Sequence, residues 1–397
     1  MKIAARMSRL GTETAFAVGA EAAELAKTGI KIYPFHLGDM NIITPQNIRN
    51  AASLALEGGK TGYCPNAGIP QLREALAKDV GTARGLDLSF ENVTIQPGGK
   101  PIISKFIQVL MEVGDEVLYP NPGYPIYESQ IDYHGGKAVP YSFKETETGF
   151  ELDIDQIERS ITPKTSILIF NNYQNPISAS ASDEEMQRLA DLCLKHNFWV
   201  LAEEAYFDMN YEGQGKSITS LPGIFERSVI LYTFSKKFAM TGWRLGAAIG
   251  PREIVDHISR INTNDESCSN HFIQWAAIEA LQGDQSGSKK ILDVLKERRD
   301  TAVDLLNSIP GIKTHRPDCT FYLYPNVTEA MKKSGISDVE AFRKLVLVKT
   351  GVSFCTRRHF GTPQAGETEN YIRLAYSGID SSEIKEGLEK MKTFLLS

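Results

Sequence analysis

The chain has 397 residues, 42% of them hydrophobic and 23% charged, which is ordinary for a globular protein but too long for one domain of usual size. Its formal net charge of −6 at pH 7 argues against a general nucleic-acid or anionic-membrane binder. Five scattered cysteines without a CxxC pair predict reduced thiols and no zinc site. No signal peptide or membrane-spanning run is evident, so we expect a cytoplasmic protein.

In chain order, a helix-like stretch at 17–28 precedes an alternation of amphipathic helical patterns and short apolar runs. Helices are predicted at 71–85, 101–113 and 182–196, and buried strands at 116–119, 165–170, 198–202, 228–234 and 245–250. Ser182 and Glu185 form the pattern of a capping box at the start of one of these helices. The alternation favours an α/β fold in which a mainly parallel sheet carries helices on both faces.

The pattern changes after about residue 285. One long helix is predicted at 289–307, alternating strands at 320–324 and 371–376, and a last helix at 381–394. This mixture predicts a smaller α+β domain at 286–397 that follows a large domain at 45–285. We expect the N-terminal segment, residues 1–44, to pack with the smaller domain.

In open parallel sheets, ligands bind beyond the carboxyl ends of the strands, so residues that follow a predicted strand are the first functional candidates. The apolar strand at 228–234 runs directly into Lys236. Burial there would lower the pKa of the lysine and supply the neutral amine that Schiff-base chemistry requires. Thr233, Ser235 and Arg244 would suit a phosphate beside it. The alternative interpretation is an ordinary surface lysine.

Further candidates follow other predicted strands. Gly98, Gly99 and Lys100 lie between a strand-like run and a helix, where backbone N–H groups could cradle a phosphate, although two glycines before a helix often form only a turn. Asn175 lies beyond the strand at 165–170. Its amide could donate to a phenolate oxygen, or it could belong to a simple Asn-Pro turn.

Acidic and aromatic side chains complete the strand-end set. Glu203 and Glu204 follow the strand at 198–202, and we expect only one of them to face a site. A carboxylate there could keep a ring nitrogen protonated and Tyr206 could add a hydroxyl donor, whereas the alternative is a pair of solvated acids. Tyr124, in a proline-containing loop, could stack on an aromatic cofactor or pack locally.

Arg373 interrupts the apolar strand at 371–376. An arginine among apolar neighbours needs an acidic partner or a functional anion. The carboxylate of a substrate would match the guanidinium with two parallel hydrogen bonds.

Taken together, these elements resemble the class I aminotransferases, pyridoxal-phosphate (PLP) enzymes of fold type I. The resemblance covers nearly the whole chain, and its most specific element is FSKKFAMTGWRLG at 234–246. It implies a mainly parallel seven-stranded sheet sandwiched by helices, a smaller α+β C-terminal domain, and a homodimer with shared active sites. It also implies transfer of an amino group from an L-amino acid, with aspartate or a relative favoured, to a 2-oxo acid such as 2-oxoglutarate.

The resemblance assigns roles around the cofactor ring. Lys236 would carry PLP as a Schiff base and later move the substrate proton, and Glu203 would keep the ring nitrogen protonated. Asn175 and Tyr206 would hold the phenolic oxygen, and Tyr124 would stack on the ring.

It also assigns the phosphate and the substrate. The phosphate would be bound by Gly98, Gly99, Lys100, Thr233, Ser235 and Arg244. Tyr63, in the run KTGYCPNAGIP, is similar to the family's tyrosine that reaches the phosphate of the neighbouring subunit. Arg373 would clamp the substrate α-carboxylate, with help from Asn175 and the backbone near Gly38.

The chain departs from the family pattern at three places. Glu203 stands where aspartate is usual, NPISAS at 175–180 replaces the usual NPTG, and HLGDMNIITP at 36–45 is shorter than usual where the substrate side chain is often read. These changes keep open a PLP lyase or cyclase on the same fold. A non-catalytic binding protein is a third hypothesis, which the retained Lys236 opposes.

No motif identifies an arginine for a second substrate carboxylate. Arg357, Arg358 and Lys100 are the available positive charges.

Overall fold

The structure is a computed structural model that describes residues 2–11 and 14–397. The helices within these ranges are α1 (Ala15–Ala26), α2 (Gln46–Glu57), α3 (Pro70–Arg84), α4 (Lys100–Leu110), α5 (Ile126–Tyr133), α6 (Ile154–Ser160), α7 (Asp183–His196), α8 (Arg252–Asn264), α9 (His271–Gln282), α10 (Ser286–Asn307), α11 (Thr328–Lys333), α12 (Val339–Thr350) and α13 (Ser381–Leu396). None of these helices is both long and apolar enough to cross a bilayer.

The strands in the same ranges are β1 (Tyr33–Pro34), β2 (Val93–Gln96), β3 (Glu116–Pro120), β4 (Lys137–Tyr141), β5 (Phe143–Glu145), β6 (Phe150–Leu152), β7 (Thr165–Asn171), β8 (Trp199–Glu203), β9 (Ser228–Thr233), β10 (Gly246–Ile249), β11 (Tyr322–Leu323), β12 (Val352–Ser353), β13 (Cys355–Thr356) and β14 (Ile372–Ala375).

The central sheet has seven strands in the order β2-β10-β9-β8-β7-β3-β4. β10 runs antiparallel to its neighbours β2 and β9, and the other pairs are parallel. The α/β fold with a mainly parallel seven-stranded sheet is therefore confirmed. Every residue of β3 and β9 is buried because helices cover both faces, which explains why these strands appear in the sequence as continuous apolar runs.

The C-terminal part of the chain builds its own layer beside the carboxyl edge of the sheet. β11, β14 and β13 form a three-stranded antiparallel sheet. Their apolar side chains share one core with α10, α12 and α13, and Tyr206 and Phe207 from the large sheet's edge join that core. The boundaries 1–44, 45–285 and 286–397 stay a prediction for the domain limits.

The N-terminal residues contact both layers. β1 pairs in parallel with β12. Upstream of it, the Arg9 guanidinium donates to the backbone oxygen of Tyr133 at 3.3 Å, and the Gly11 N–H donates to Ser129 Oγ at 2.9 Å. Arg9, which ends a short 3-10 helix (Ala5–Arg9), and Gly11 therefore contact α5, which flanks the central sheet.

The predicted capping box at the start of α7 is confirmed. The backbone N–H of Glu185 donates to Ser182 Oγ at 3.2 Å, and the Ser182 N–H donates to Glu185 Oε2 at 2.7 Å. Two otherwise unpaired helix donors are thereby satisfied, which fixes where the helix begins.

Candidate active site

The carboxyl edge of the sheet opens into a cavity of about 500 Å³. The cavity is lined by most of the candidate residues: Gly38, Gly99, Lys100, Tyr124, Asn175, Glu203, Tyr206, Thr233, Ser235, Lys236, Arg244 and Arg373. The reversed strand β10 begins at this edge, because Gly246 pairs with both Gln96 and Thr233. Residues that follow β2, β7, β8 and β9 and those that precede β10 are thus brought together.

Lys236 lies at the centre of this cavity. Its side chain is enclosed by protein, with part of its surface facing the cavity, and Nζ donates to the Gly38 carbonyl at 3.0 Å. Burial lowers the pKa of Lys236 to about 8; the nearby Asp39 opposes the shift, and Arg373 reinforces it. An appreciable fraction of the amine is therefore neutral near physiological pH, as nucleophilic chemistry requires.

Glu203 is the acid that faces the cavity. Its Oε2 accepts a hydrogen bond of 2.7 Å from the Tyr127 hydroxyl, and its Oε1 accepts one of 3.1 Å from the Ala205 N–H. Burial raises the pKa of Glu203 to about 6, although both donors oppose the shift. The carboxylate is thus ionised at neutral pH but close enough to its pKa to exchange a proton.

Glu204 points to the other side of the sheet. Arg84 Nε donates to its Oε2 at 2.7 Å, and the Ser217 hydroxyl donates to its other oxygen. Consecutive side chains alternate across a strand, so the two adjacent acids have opposite surroundings. Glu204 therefore belongs to a buried ion pair with Arg84, and Glu203 faces the cavity.

Two tyrosine hydroxyls meet beside Lys236. The oxygen atoms of Tyr206 and Tyr322 are 2.6 Å apart, and both side chains are buried. Tyr322 comes from β11 and was not identified as a site residue from the sequence. The run TFYLY at 320–324 contains a second tyrosine, Tyr324, and nothing in the run distinguishes the two.

The glycine turn after β2 approaches Arg244 closely. Gly98 has φ of 97°, and a Cβ added there would overlap Arg244 Nη2. A Cβ on Gly99 would lie 3.0 Å from a methyl group of Leu231. Gly98 itself lies just behind the cavity wall, where only glycine fits both the backbone conformation and the space.

Donors for an anion converge at this turn. α4 begins at Lys100, which directs the helix N-terminus at the cavity. Thr233 Oγ1 donates to Ser235 Oγ at 2.9 Å, and Arg244 Nη1 donates to the Thr241 carbonyl at 2.7 Å. Free helix N–H groups, hydroxyls and a guanidinium are the usual ligands of a phosphate.

Aromatic rings form another wall. The Lys100 ammonium lies 5.9 Å from the ring centre of Tyr124, whose ring packs edge-on against Tyr127 at 5.8 Å. Phe360 and His359 also line the cavity, and neither was identified from the sequence.

Arg373 is 3% exposed and forms no ion pair with any carboxylate of residues 2–11 and 14–397. Its Nη2 donates to the His36 carbonyl at 2.5 Å and its Nη1 to Asn175 Oδ1 at 3.3 Å, whereas its Nε has no hydrogen-bond partner within those ranges. A buried guanidinium without a counterion is unfavourable. An external anion would supply the missing counterion.

Three candidate residues lie elsewhere. Tyr63 is 89% exposed and outside the cavity. Arg357 pairs with Glu367 at 2.7 Å, and Arg358 pairs with Asp338 at 2.7 Å on the surface. The last two cations are therefore already engaged by acids of the same chain.

Comparisons with known proteins give one consistent result. A family model described as aminotransferase class I and II matches residues 31–391. The aspartate aminotransferase of Bacillus subtilis is 30% identical over 397 residues, covering 100% of this chain and 99% of the relative. The probable aspartate/prephenate aminotransferase of Aquifex aeolicus is 30% identical over 398 residues, covering 99% and 98%.

Solved structures agree with this result. The aspartate aminotransferase from Thermus thermophilus with maleate has a TM-score of 0.89 at 29% identity, covering 99% of both chains. The alanine aminotransferase from Pyrococcus furiosus has a TM-score of 0.91 at 27% identity, covering 100% of both chains.

Proposed function

The chain belongs to the class I and II aminotransferases, and on this premise we propose that it moves an amino group from aspartate, or a closely related L-amino acid, to a 2-oxo acid such as 2-oxoglutarate. Members of this family generally depend on pyridoxal phosphate, and we propose the same cofactor here. A cytoplasmic location is proposed on composition alone.

The observation that carries this proposal is that Lys236 and Arg373 share one cavity. Lys236 offers an amine with a pKa of about 8, and Arg373 offers a buried guanidinium without a carboxylate partner among the described residues. An amino acid substrate has the matching pair of groups, since it brings an amine and a carboxylate on one carbon.

The residues present also fit the cofactor. A Cβ on Gly98 would overlap the Arg244 guanidinium, and the turn at Gly98 and Gly99 adjoins the start of α4 and the hydroxyls of Thr233 and Ser235. These groups would hold the phosphate. Tyr124 would stack on the ring, Asn175 and Tyr206 would donate to its phenolic oxygen, and Glu203 would hold a proton on its nitrogen. When bound, PLP withdraws electrons from the bond between Cα and its hydrogen.

Each side chain then has a defined task. Lys236 would hold the cofactor through Nζ, and its amine, which can be neutral, would remove the Cα proton of a bound substrate. Glu203 would supply a negative charge for the ring nitrogen, and because its carboxylate is buried that charge would act strongly. Arg373 fixes the α-carboxylate and so orients the Cα–H bond toward Lys236.

We further propose a homodimer in which Tyr63 reaches the partner's phosphate site. The support is the exposure of Tyr63 together with that of Leu54 (67% exposed) and Leu56 (45% exposed). These side chains form an apolar surface on and just after α2, of the kind that often contacts another protein. Mixing Lys236→Ala with Tyr63→Ala protein tests this, because each mixed dimer would contain one site with neither change. Recovery of activity on mixing is expected; no recovery in dimers that exchange subunits would exclude a shared site.

The function itself is tested by the visible spectrum of the purified protein with single amino acids added. A donor should bleach the yellow band, a 2-oxo acid should restore it, and 2-oxoglutarate should yield stoichiometric glutamate. A yellow protein that consumes an amino acid without forming glutamate would indicate the lyase or cyclase. A colourless protein that PLP does not reconstitute would refute the proposed cofactor.

A further inference from the structure

We propose that Tyr322 is a positioning residue that holds both Tyr206 and Arg373 in their working orientations, and that Ser178 in turn holds Tyr322. The inference rests on the proposed function, in which Tyr206 contacts the cofactor and Arg373 the substrate. It concerns four residues, which come from separate parts of the chain.

The link to Tyr206 is a direct hydrogen bond. The two hydroxyl oxygens are 2.6 Å apart, and the rings meet edge-on with centres 5.6 Å apart. A Tyr206 hydroxyl that donates into the cavity must accept from Tyr322. Hydrogen bonds in such a chain strengthen one another, so Tyr322 makes Tyr206 a better donor as well as fixing its direction.

The contacts with Arg373 and Gly38 place Tyr322 beside Arg373 and beside the carbonyl group that accepts from Lys236, the two residues proposed to bind the ends of the substrate. The guanidinium carbon of Arg373 lies 4.7 Å from the Tyr322 ring centre, a cation–π contact, and the Phe360 ring centre lies at the same distance. A Cβ added to Gly38 would overlap the Tyr322 hydroxyl. Gly38 is also the residue whose carbonyl accepts from Lys236.

Ser178 attaches the Asn175 loop to β11. Its Oγ donates to the Tyr322 carbonyl at 2.8 Å and lies 2.5 Å from Thr320 Oγ1. Ser178 has φ of 58°, a left-handed conformation that glycine adopts without strain and serine does not. It occupies the place of the glycine in the usual NPTG pattern. With serine instead of glycine at position 178, the backbone is more strained, but the side chain gains a hydrogen bond to the strand that carries Tyr322.

Tyr324 provides a matched control two residues along the chain. Its hydroxyl is buried and has no hydrogen-bond partner in the described ranges, and its ring stacks on Tyr371 with centres 5.0 Å apart. Tyr324→Phe removes the same atom as Tyr322→Phe but leaves the cavity untouched.

The first test is a pH titration of the visible band of the holoenzyme. A hydrogen-bond donor to the phenolic oxygen of the cofactor would stabilise the anionic form of that oxygen. A weaker donor would therefore raise the pH at the midpoint of the spectral change. Tyr322→Phe should move the midpoint upward, Tyr206→Phe should move it further, and the double variant should match Tyr206→Phe. Tyr322→Phe keeps the ring that contacts Arg373, so the KM for the amino donor should stay near its wild-type value, whereas Tyr322→Leu removes that ring and should raise the KM about tenfold. Tyr324→Phe should match the wild type in both measurements.

The second test uses the cofactor-free protein and urea unfolding. Tyr206→Phe and Tyr322→Phe should each lower the unfolding midpoint, and the double variant should unfold with less than the summed loss because one hydrogen bond is removed twice. This coupling is measurable even if the protein binds no PLP, so failure of the proposed function and failure of this inference are distinguishable. Additive losses together with an unshifted spectral midpoint would overturn the role of Tyr322.

Ser178 is tested with two replacements that lack the hydroxyl. Ser178→Gly relieves the backbone strain, whereas Ser178→Ala retains it. Both should shift the spectral midpoint in the same direction as Tyr322→Phe, with Ser178→Gly the more stable of the two. Wild-type values in Ser178→Gly would show that the hydroxyl does not hold Tyr322.

Discussion

The hydroxyl of Tyr127 donates a hydrogen bond of 2.7 Å to Oε2 of Glu203. Tyr127 lies in α5 and Glu203 ends β8, and both side chains are buried. Burial raises the pKa of the carboxyl to about 6, and this bond is the strongest influence in the opposite direction. Tyr127 therefore helps to keep Glu203 charged at neutral pH.

Replacing Tyr127 with phenylalanine should raise the pKa of Glu203 further. The acid limb of the kcat/KM profile should move to higher pH, while the rate well above that limb changes little. Tyr141→Phe is the control, since Tyr141 is equally buried but donates to the Ile169 carbonyl at 3.0 Å. Equal acid limbs in wild type and Tyr127→Phe would mean that another group sets this limb.

Glu203 should tolerate aspartate better than glutamine. Glu203→Asp keeps the charge that the family usually places here, so kcat/KM should stay within about tenfold of wild type. Glu203→Gln removes the charge and should lower kcat by about 10²–10³-fold. Steady-state kinetics compare the two, and similar losses in both variants would assign the role of Glu203 to its length instead of its charge.

Arg373→Ala should weaken binding of substrates with an α-carboxylate by roughly 2–5 kcal/mol. The physical reason is the loss of a buried guanidinium whose Nε has no other partner in the described ranges. Single-turnover kinetics with an amino acid and with the corresponding amine provide the measurement. The amine should react alike with both proteins; an unchanged affinity for the amino acid would show that another group holds its carboxylate.

Lys236→Met should lower turnover by several orders of magnitude and yet stabilise the cofactor-free protein. The pKa of Lys236 falls from 10.5 to about 8 in the folded state. The buried charge of Lys236 therefore lowers the free energy of unfolding below pH 8, and this destabilisation disappears as the pH rises to 10.5. At pH 7 the variant should gain about 3 kcal/mol in free energy of unfolding, and none above pH 10.5. Urea unfolding across this range checks the sign.

Gly98→Ala should weaken PLP binding at least tenfold, because the new methyl group overlaps Arg244 and φ is 97°. Gly59→Ala shares the positive φ, at 74°, but meets no neighbouring atom within 4 Å. Equilibrium dialysis of the cofactor compares them. Wild-type affinity in Gly98→Ala would remove this turn from the phosphate site.

The buried strands and the residues at their ends were predictable because helices on both faces of a parallel sheet demand continuous apolar runs. β4 was not predicted, since it is a half-exposed edge strand that contains Pro140. Tyr127 and Tyr322 were missed for another reason. Periodicity indicates that a residue is buried, but it does not indicate which distant element the residue contacts. The partners of Tyr322 follow β7 and β8 or lie in β14, all far from Tyr322 in the sequence.

The choice between Glu203 and Glu204 shows the same limit. Alternation along β8 requires the two acids to point apart, but which of them faces the cavity depends on how β8 sits between β7 and β9. Only the assembled sheet supplies that information.

The segment 234–245 leaves the sheet after Thr233 and returns beside it at Gly246. Lys236 and Arg244 both lie on this segment, so its two ends determine the spacing between the proposed reactive amine and the proposed phosphate ligand. We expect the length of the segment to be under selection as strictly as its composition. Insertions among homologues should accumulate instead in connections such as the exposed turn between β5 and β6, where chain length does not govern the spacing of reactive groups.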